Sequence, residues 1–97
     1  MLFINMQILY GTPYSAIDVT STCFTFLTLG NIISIPFNDN TRSALFTDPM
    51  PGTSKYIIVV KSDQTQTAYD DKSLVFINIL DENITTLGYG EALGYSS

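Results

Sequence analysis

Short segments with strand-like patterning, divided by turn-forming residues every several positions, constrain the fold of this chain more than any other feature of its sequence. From Phe3 to Tyr10 apolar and polar side chains alternate, and Tyr56 to Val60 is apolar at every position. A period of two is typical of a half-buried strand, and a short, fully apolar run is typical of a central strand covered on both faces. Strands rather than long helices are therefore expected.

The same criteria predict further strands over 16–19, 31–37, 43–46, 64–69 and 74–80. Turns are predicted at 38–40, 62–63 and 70–71. The strands over 56–60, 64–69 and 74–80 are therefore predicted to form an antiparallel meander. Seven or eight short strands with closely spaced turns suit a sandwich or a closed barrel, and we favour the sandwich. We predict an all-β fold over residues 1–97, a single-domain antiparallel β-sandwich of about seven or eight short strands.

Two segments leave an alternative open. Between 20 and 29 the apolar residues recur at helical spacing, but Thr, Phe and Cys favour strands, and we predict a strand. The tail over 83–97 contains several glycines beside Tyr89 and Tyr95. It either adds a last strand or takes part in contacts with a neighbouring molecule.

The charge distribution argues against nucleic acid and membrane as partners. Nine acidic residues outnumber four basic ones, for a net charge of −5, and the four cations are scattered along the sequence. No basic stripe can neutralise phosphates, and an acidic chain is repelled by anionic lipid. The apolar start of the chain lacks positive residues and is interrupted by Asn5 and Gln7, so neither a signal peptide nor a membrane span is predicted.

The surface is expected to be poor in charge and rich in hydroxyl groups. Charged residues make up 13% of the chain, about half of the usual share, and Ser and Thr together number 21. Such a surface lacks the high density of charge that usually keeps proteins from associating with one another. It suits a protein that is packed against neighbours or one located outside the cell.

The residues that usually carry catalysis or bind metals are scarce. The chain has no histidine, and its single cysteine, Cys23, lies in an apolar run where burial is expected. Without histidine, a nucleophilic side chain would lack its usual general base, and a zinc ion would lack its commonest ligand. The acidic pairs at 70–71 and 81–82 are expected in solvated turns, and the segments 38–40 and 81–83 lack the ligand spacing of a calcium loop. We therefore expect neither an enzyme nor a cofactor.

A segment rich in proline and glycine is predicted to shape a turn after the middle of the chain. Asp48 precedes Pro49, which favours an extended backbone, and Pro51 and Gly52 suit a type II turn with glycine at the position of positive φ. The turn would bring Lys55 back to Asp48 as an ion pair. We expect this motif to be structural.

Four segments, in this order, resemble a small β module of uncharacterised function. They are Tyr10-Gly11, Ile17 to Thr20, Ile33 to Pro36 and Phe46 to Lys55. The module resembles the C-terminal domain of a mitochondrial DnaJ-type co-chaperone, and similar modules occur in bacteria and, beside sugar- or methyl-transferring enzymes, in large DNA viruses. The resemblance implies a β fold, a non-enzymatic role and no catalytic residues. Within the second segment, Asp18 is predicted to accept backbone hydrogen bonds where a strand ends.

Three tyrosines are candidates for an interaction surface. Tyr14, Tyr89 and Tyr95 lie in predicted loops near glycines, where exposed aromatic rings would suit a protein contact or a sugar. The first hypothesis is a structural or assembly protein that contacts copies of itself or other subunits, such as a minor component of a virus particle, a filament or an extracellular assembly. The alternative is a carbohydrate-binding module with a glycan as its partner.

Overall fold

Two antiparallel sheets of four strands each make up the computed structural model, which describes residues 6–88. The elements, in chain order, are β1 (Gln7–Thr12), β2 (Ser15–Asp18), α1 (Thr20–Phe26), β3 (Thr28–Leu29), β4 (Ile32–Ile35), α2 (Asp39–Phe46), β5 (Tyr56–Val60), β6 (Gln66–Tyr69), β7 (Ser73–Asn78) and β8 (Ile84–Gly88). The strand order is β2-β1-β5-β6 in the first sheet and β3-β4-β7-β8 in the second. The predicted all-β sandwich of short strands is confirmed, with two short helices added.

The core lies between the sheets and is lined by alternate residues of the four central strands. Its fully buried aliphatic side chains are Ile8 of β1, Ile57 and Val59 of β5, Ile33 and Ile35 of β4, and Val75 and Ile77 of β7. Each such side chain contributes about 1.5–3 kcal/mol when it leaves water. Burial at every second position fixes the register, because a slip by one residue would expose the whole set.

The first helix overturns the strand predicted over 20–29, where the structure has α1 followed by the two-residue β3. α1 turns Cys23 into the core, while Phe24 and Leu27 pack against the same cluster. The segment is helical, as the spacing of its apolar residues indicates, because burial against both sheets outweighs the strand preference of Thr and Phe. The predicted burial of Cys23 is confirmed.

The second helix replaces the strand predicted at 43–46, which is wrong, and it begins within the turn predicted at 38–40. The Asn38 side chain accepts a hydrogen bond from the Asn40 amide at 2.9 Å and caps the start of α2. Arg42 and Phe46, four residues apart, are both buried and therefore lie on one helical face. A pattern with arginine on the buried face does not look amphipathic in the sequence.

The predicted meander of the last strands is correct for one pair and wrong for the next. β5 and β6 pair, but β7 lies in the opposite sheet between β4 and β8. The segment 70–72 therefore carries the chain from one sheet to the other. The strand alternative for the tail is confirmed over Ile84–Gly88, while residues 89–97, and residues 3–5 of the first predicted strand, lie outside the described part of the chain. Neither of the helices found between residues 6 and 88 is long and apolar enough to cross a bilayer.

Candidate functional site

A buried lysine joins the loop before β5 to helix α2. Lys55 has only 1% of its side chain exposed, and its Nζ lies 3.0 Å from Asp39 Oδ2 and 2.9 Å from Asp48 Oδ1. The ammonium also donates to the carbonyl oxygens of Met50, at 3.0 Å, and Thr53. Four oxygens thus surround a group with three N–H donors, so its hydrogen-bonding capacity is fully used.

The predicted turn forms around this lysine. The Thr53 amide donates to the Met50 carbonyl at 3.2 Å, and Gly52 has a φ of 82°. Asp48 Oδ1 also accepts a hydrogen bond from the Met50 amide at 3.0 Å. The positive φ of Gly52 and the meeting of Lys55 with Asp48 are both confirmed. Pro49 and Pro51 flank Met50 within the turn.

The phenol of Tyr10 connects the same carboxylate to β1. Its hydroxyl donates to Asp39 Oδ1 at 2.5 Å and lies 2.8 Å from the Ser43 hydroxyl. The ring lies 5.4 Å from that of Phe46 and 6.0 Å from Lys55 Nζ, measured from the ring centroid. We call Tyr10, Asp39, Asp48 and Lys55 the lysine cluster. The cluster links the first sheet, α2 and the turn.

The protonation states of the lysine cluster suit an anchor rather than a catalyst. Burial lowers the pKa of the Lys55 ammonium, but hydrogen bonds to Asp48 and Asp39 outweigh it and leave that pKa raised. The hydrogen bond from Lys55 holds the pKa of Asp48 below its usual value. Burial and then the hydrogen bond to Asp39 raise the pKa of Tyr10 to about 12. At neutral pH the amine is charged and the phenol is neutral, so neither is a nucleophile.

A second buried cation, Arg42, holds the place where the chain changes sheets. Its side chain is fully buried, with Nε donating to the Pro36 carbonyl at 2.7 Å and Nη2 to the Ser73 carbonyl at 2.9 Å. Nη1 lies at 3.5 Å from the Tyr69 carbonyl. The guanidinium therefore bridges the end of β6 and the start of β7. Sequence analysis missed Arg42, Asp39 and Tyr10, because the residues they contact are distant in the chain.

The acidic residues serve mainly as turn formers. At seven places between residues 6 and 88 an Asp or Asn side chain accepts a hydrogen bond from the amide two residues later, at Asp18, Asn38, Asp48, Asp63, Asp70, Asn78 and Asp81. This is the Asx turn, which lets the chain reverse without a ladder. The predicted hydrogen bond at Asp18 is confirmed by the Thr20 amide at 2.9 Å. Across residues 6–88 no three His, Cys, Asp or Glu side chains are grouped to hold a metal ion.

The outer face of the first sheet, which points away from the core, is largely apolar. Leu9, Ile58 and Ala68 form one row across β1, β5 and β6. Leu9 and Ile58 are half-buried, and Ala68 is exposed. A cleft of about 400 Å³ lies over this row and extends to Pro13. Asp18, at the rim, is the one charged side chain that the alternation of these four strands places on this face.

The outer face of the second sheet carries no charge at all on its four strands. Leu29 is paired with Ile32, and Leu74 with Leu87, while Phe76 lies between these pairs. Leu29 is 85% exposed and the other four are half-buried. A solvent-facing antiparallel sheet ordinarily alternates apolar residues toward the core with polar residues toward water. Here five large apolar side chains point outward, with the uncharged Ser34, Asn78 and Thr85 beside them.

Further large apolar side chains are exposed at one end of the second sheet. Phe26 is 75% exposed and lies three residues before Leu29, and Leu80 is 60% exposed. The Ile79 amide donates to the Asn31 carbonyl at 2.8 Å, which places the turn with Leu80 beside the β3–β4 turn. This end therefore extends the apolar surface.

The predicted interaction tyrosines are only partly described. Tyr14 lies at the tip of the β1–β2 hairpin and is 96% exposed, next to Pro13 of the cleft. Tyr89 and Tyr95 lie outside the described residues. The lysine cluster and Tyr14 are separate sites, because the cluster contacts the core side of β1 and Tyr14 lies at the tip of the hairpin.

Comparison with known proteins gives no relative: no family model, no curated protein and no solved structure matches the chain significantly. The resemblance to the co-chaperone module stays a prediction.

Proposed function

We propose that this protein is a non-enzymatic structural subunit that acts through protein–protein contacts in an assembly, with the outer faces of both sheets as its contact surfaces. One observation carries the proposal. Large apolar side chains point away from the core on both sheets, interspersed with uncharged polar ones, and on the eight described strands Asp18 is the only charged residue among them. Exposed apolar surface that is poor in charge typically marks an interaction site.

The chemistry of the described residues supports the same role. Three buried titratable groups, Tyr10, Cys23 and Lys55, have raised pKa values and are therefore protonated at neutral pH. The ion pairs stiffen the loop before β5 and present no reactive group. A virus particle or a filament is the kind of assembly that suits such a subunit, because each copy is covered on several sides.

Light scattering on the purified protein at micromolar concentration tests the proposal, together with two charge-introducing substitutions. Ala68→Lys and Leu29→Lys place a charge on the outer face of the first and second sheet. Each has a matched control on helix α2, where Ala44 is exposed and Leu45 is 40% exposed. We expect the wild-type protein and the Ala44→Lys and Leu45→Lys controls to associate. At least one outer-face variant should associate less and therefore show a lower average particle mass. A protein that is monomeric throughout, and in contact with no other subunit in its native setting, would contradict the proposal.

The second candidate is a carbohydrate-binding module, which the position of Tyr14 favours. An almost fully exposed aromatic ring beside a cleft whose lining includes Gln66 offers both stacking and hydrogen bonds to a sugar. A glycan array decides between the candidates. Binding that is lost in Tyr14→Ala and kept in Tyr14→Phe, which retains the ring, would support it, and signals at background level would end it.

A further inference from the structure

We propose that a second copy of this chain binds at the open edge of the first sheet, with the two β6 strands antiparallel around a two-fold axis at Thr67. The inference rests on the proposed function and names one partner and one contact for it. The result would be a continuous eight-stranded sheet across the two copies.

The hairpin between β5 and β6 fixes which backbone groups of β6 point outward. The Lys61 amide donates to the Thr65 carbonyl at 2.9 Å. In an antiparallel ladder, hydrogen-bonded and non-hydrogen-bonded pairs alternate, so Thr67 and Tyr69 also bond to β5. The amides and carbonyls of Gln66 and Ala68 therefore point away from the sheet, where they can bond another strand.

The outward edge of β6 is free within the described part of the chain. The side chains of Gln66, Thr67 and Ala68 are all exposed, and no hydrogen bond from elsewhere in residues 6–88 reaches the backbone of Gln66 or Ala68. The stretch from Gln64 to Tyr69 contains no charged residue and no proline. Charges, prolines and bulges are among the devices by which edge strands avoid pairing, and the four-residue β6 has none of these three between its flanking turns.

The other edges are less suited to pairing. β2 ends in the charged Asp18 and follows a proline turn, and β3 has only two residues. β8 reaches the last described residue, so its edge is not fully defined. β6 is therefore the best-defined open edge for a second copy.

The sequence of β6 fits a two-fold axis. With the axis at Thr67, Gln66 of each copy lies opposite Ala68 of the other, which gives two hydrogen-bonded pairs and four backbone hydrogen bonds. No like charges are brought together within the strand. On the outer face Ala68 continues the row from Leu9 and Ile58 to the axis, so the apolar surface reaches the junction between the copies.

Disulfide trapping tests the geometry. Thr67 would face Thr67 of the second copy as a non-hydrogen-bonded pair with Cα atoms about 4.5 Å apart, within the range that a disulfide spans. Cys23 is buried and its pKa is raised to about 12, so it is silent in mild oxidation. We expect Thr67→Cys to form a covalent dimer at micromolar concentration. Thr86→Cys, an exposed threonine on the β8 edge, is the matched control and should stay monomeric on a denaturing gel.

A proline pair tests the same contact without oxidation. Ala68→Pro removes an amide that points outward and leaves the β5–β6 ladder intact, so we expect monomers that remain folded. Thr67→Pro removes an amide that bonds β5, so it should lower the melting temperature more.

The outcomes separate this inference from the proposed function. Association of the wild-type protein without trapping of Thr67→Cys, with association unchanged in Ala68→Pro, would overturn the β6 contact alone. Efficient trapping of Thr86→Cys in its place would overturn it in favour of the β8 edge. A wild-type protein that shows no association at all would count against both.

Discussion

Lys55 and Asp48 meet as an ion pair, with Nζ 2.9 Å from Oδ1, across a turn that otherwise has only one internal backbone hydrogen bond. Asp39 shares the same ammonium and also accepts a hydrogen bond from the Tyr10 phenol. A loop, a helix and a central strand thus depend on one buried positive charge.

Replacement of this charge should be costly. Lys55→Met leaves Asp39 and Asp48 facing each other without a counter-charge, and removal of one partner of a buried ion pair typically costs about 3–5 kcal/mol. Because both carboxylates keep some contact with water, we expect about 3 kcal/mol, measured as the free energy of unfolding in denaturant. Lys72→Met, at an exposed position, is the control and should change stability by less than about 0.5 kcal/mol. Equal stabilities of the two variants would contradict the assignment.

Arg42 should not tolerate even a conservative change. Lysine keeps the charge but offers a single point of contact in place of the planar fork that reaches the carbonyls of Pro36, Tyr69 and Ser73. At least one buried carbonyl of the β6–β7 crossing is then left unsatisfied, so Arg42→Lys should cost about 2 kcal/mol in unfolding free energy. Hydrogen exchange should locate the loss at residues 69–73. Protection unchanged there would show that the guanidinium does not hold the crossing.

The central strands could be predicted from the sequence because each turns alternate residues to one core. Ile33 with Ile35, and Ile57 with Val59, show this period directly. The helices could not. The core side of α2 consists of Arg42 and Phe46, and burial of an arginine depends on carbonyl groups supplied by distant strands.

The contacts of the candidate site were likewise only partly predictable from the sequence. Asp48 and Lys55 could be paired from the sequence because Gly52 permits the turn between them. Tyr10 and Asp39 are 29 residues apart, and their contact exists only after the first sheet has formed. The apolar outer faces were likewise hidden, because they depend on which strands share a sheet.

Gly11 is expected to be irreplaceable even by alanine. A Cβ there would lie 2.2 Å from the Ser15 carbonyl oxygen and 2.6 Å from the Ala16 Cα, and its φ of +151° is unfavourable for other residues. Both obstacles are backbone atoms of β2, so the hairpin would have to open. We expect Gly11→Ala to cost about 3 kcal/mol or more, or to prevent folding.

Gly30→Ala is the matched control for this substitution. Its φ is +62°, but no atom lies within 4 Å of the added Cβ, so only the backbone strain of about 1–2 kcal/mol applies. Thermal melts of the two variants give the comparison. A Gly11→Ala protein at least as stable as Gly30→Ala would show that the close approach of β1 and β2 is relieved at little cost.

Stability should fall at alkaline pH through the buried groups whose pKa is raised, and Cys23 and Tyr10 are the two that can be tested separately from the ion pairs. Burial raises the pKa of Cys23 from 9.0 to about 12, and burial with the Asp39 hydrogen bond raises that of Tyr10 from 10.0 to about 12. The unfolded chain therefore releases these protons at lower pH than the folded chain, and the stabilisation present below pH 9 is lost progressively as the pH rises toward 12. Melting temperatures between pH 8 and pH 11 measure the slope. Cys23→Ala should remove the part of the decrease in melting temperature that begins near the pKa of the unfolded thiol. Tyr10→Phe should remove the part that begins about one pH unit higher. Because Tyr10→Phe also deletes hydrogen bonds, the slope and not the absolute stability is the test, and unchanged slopes in both variants would mean that neither group is buried in its protonated form.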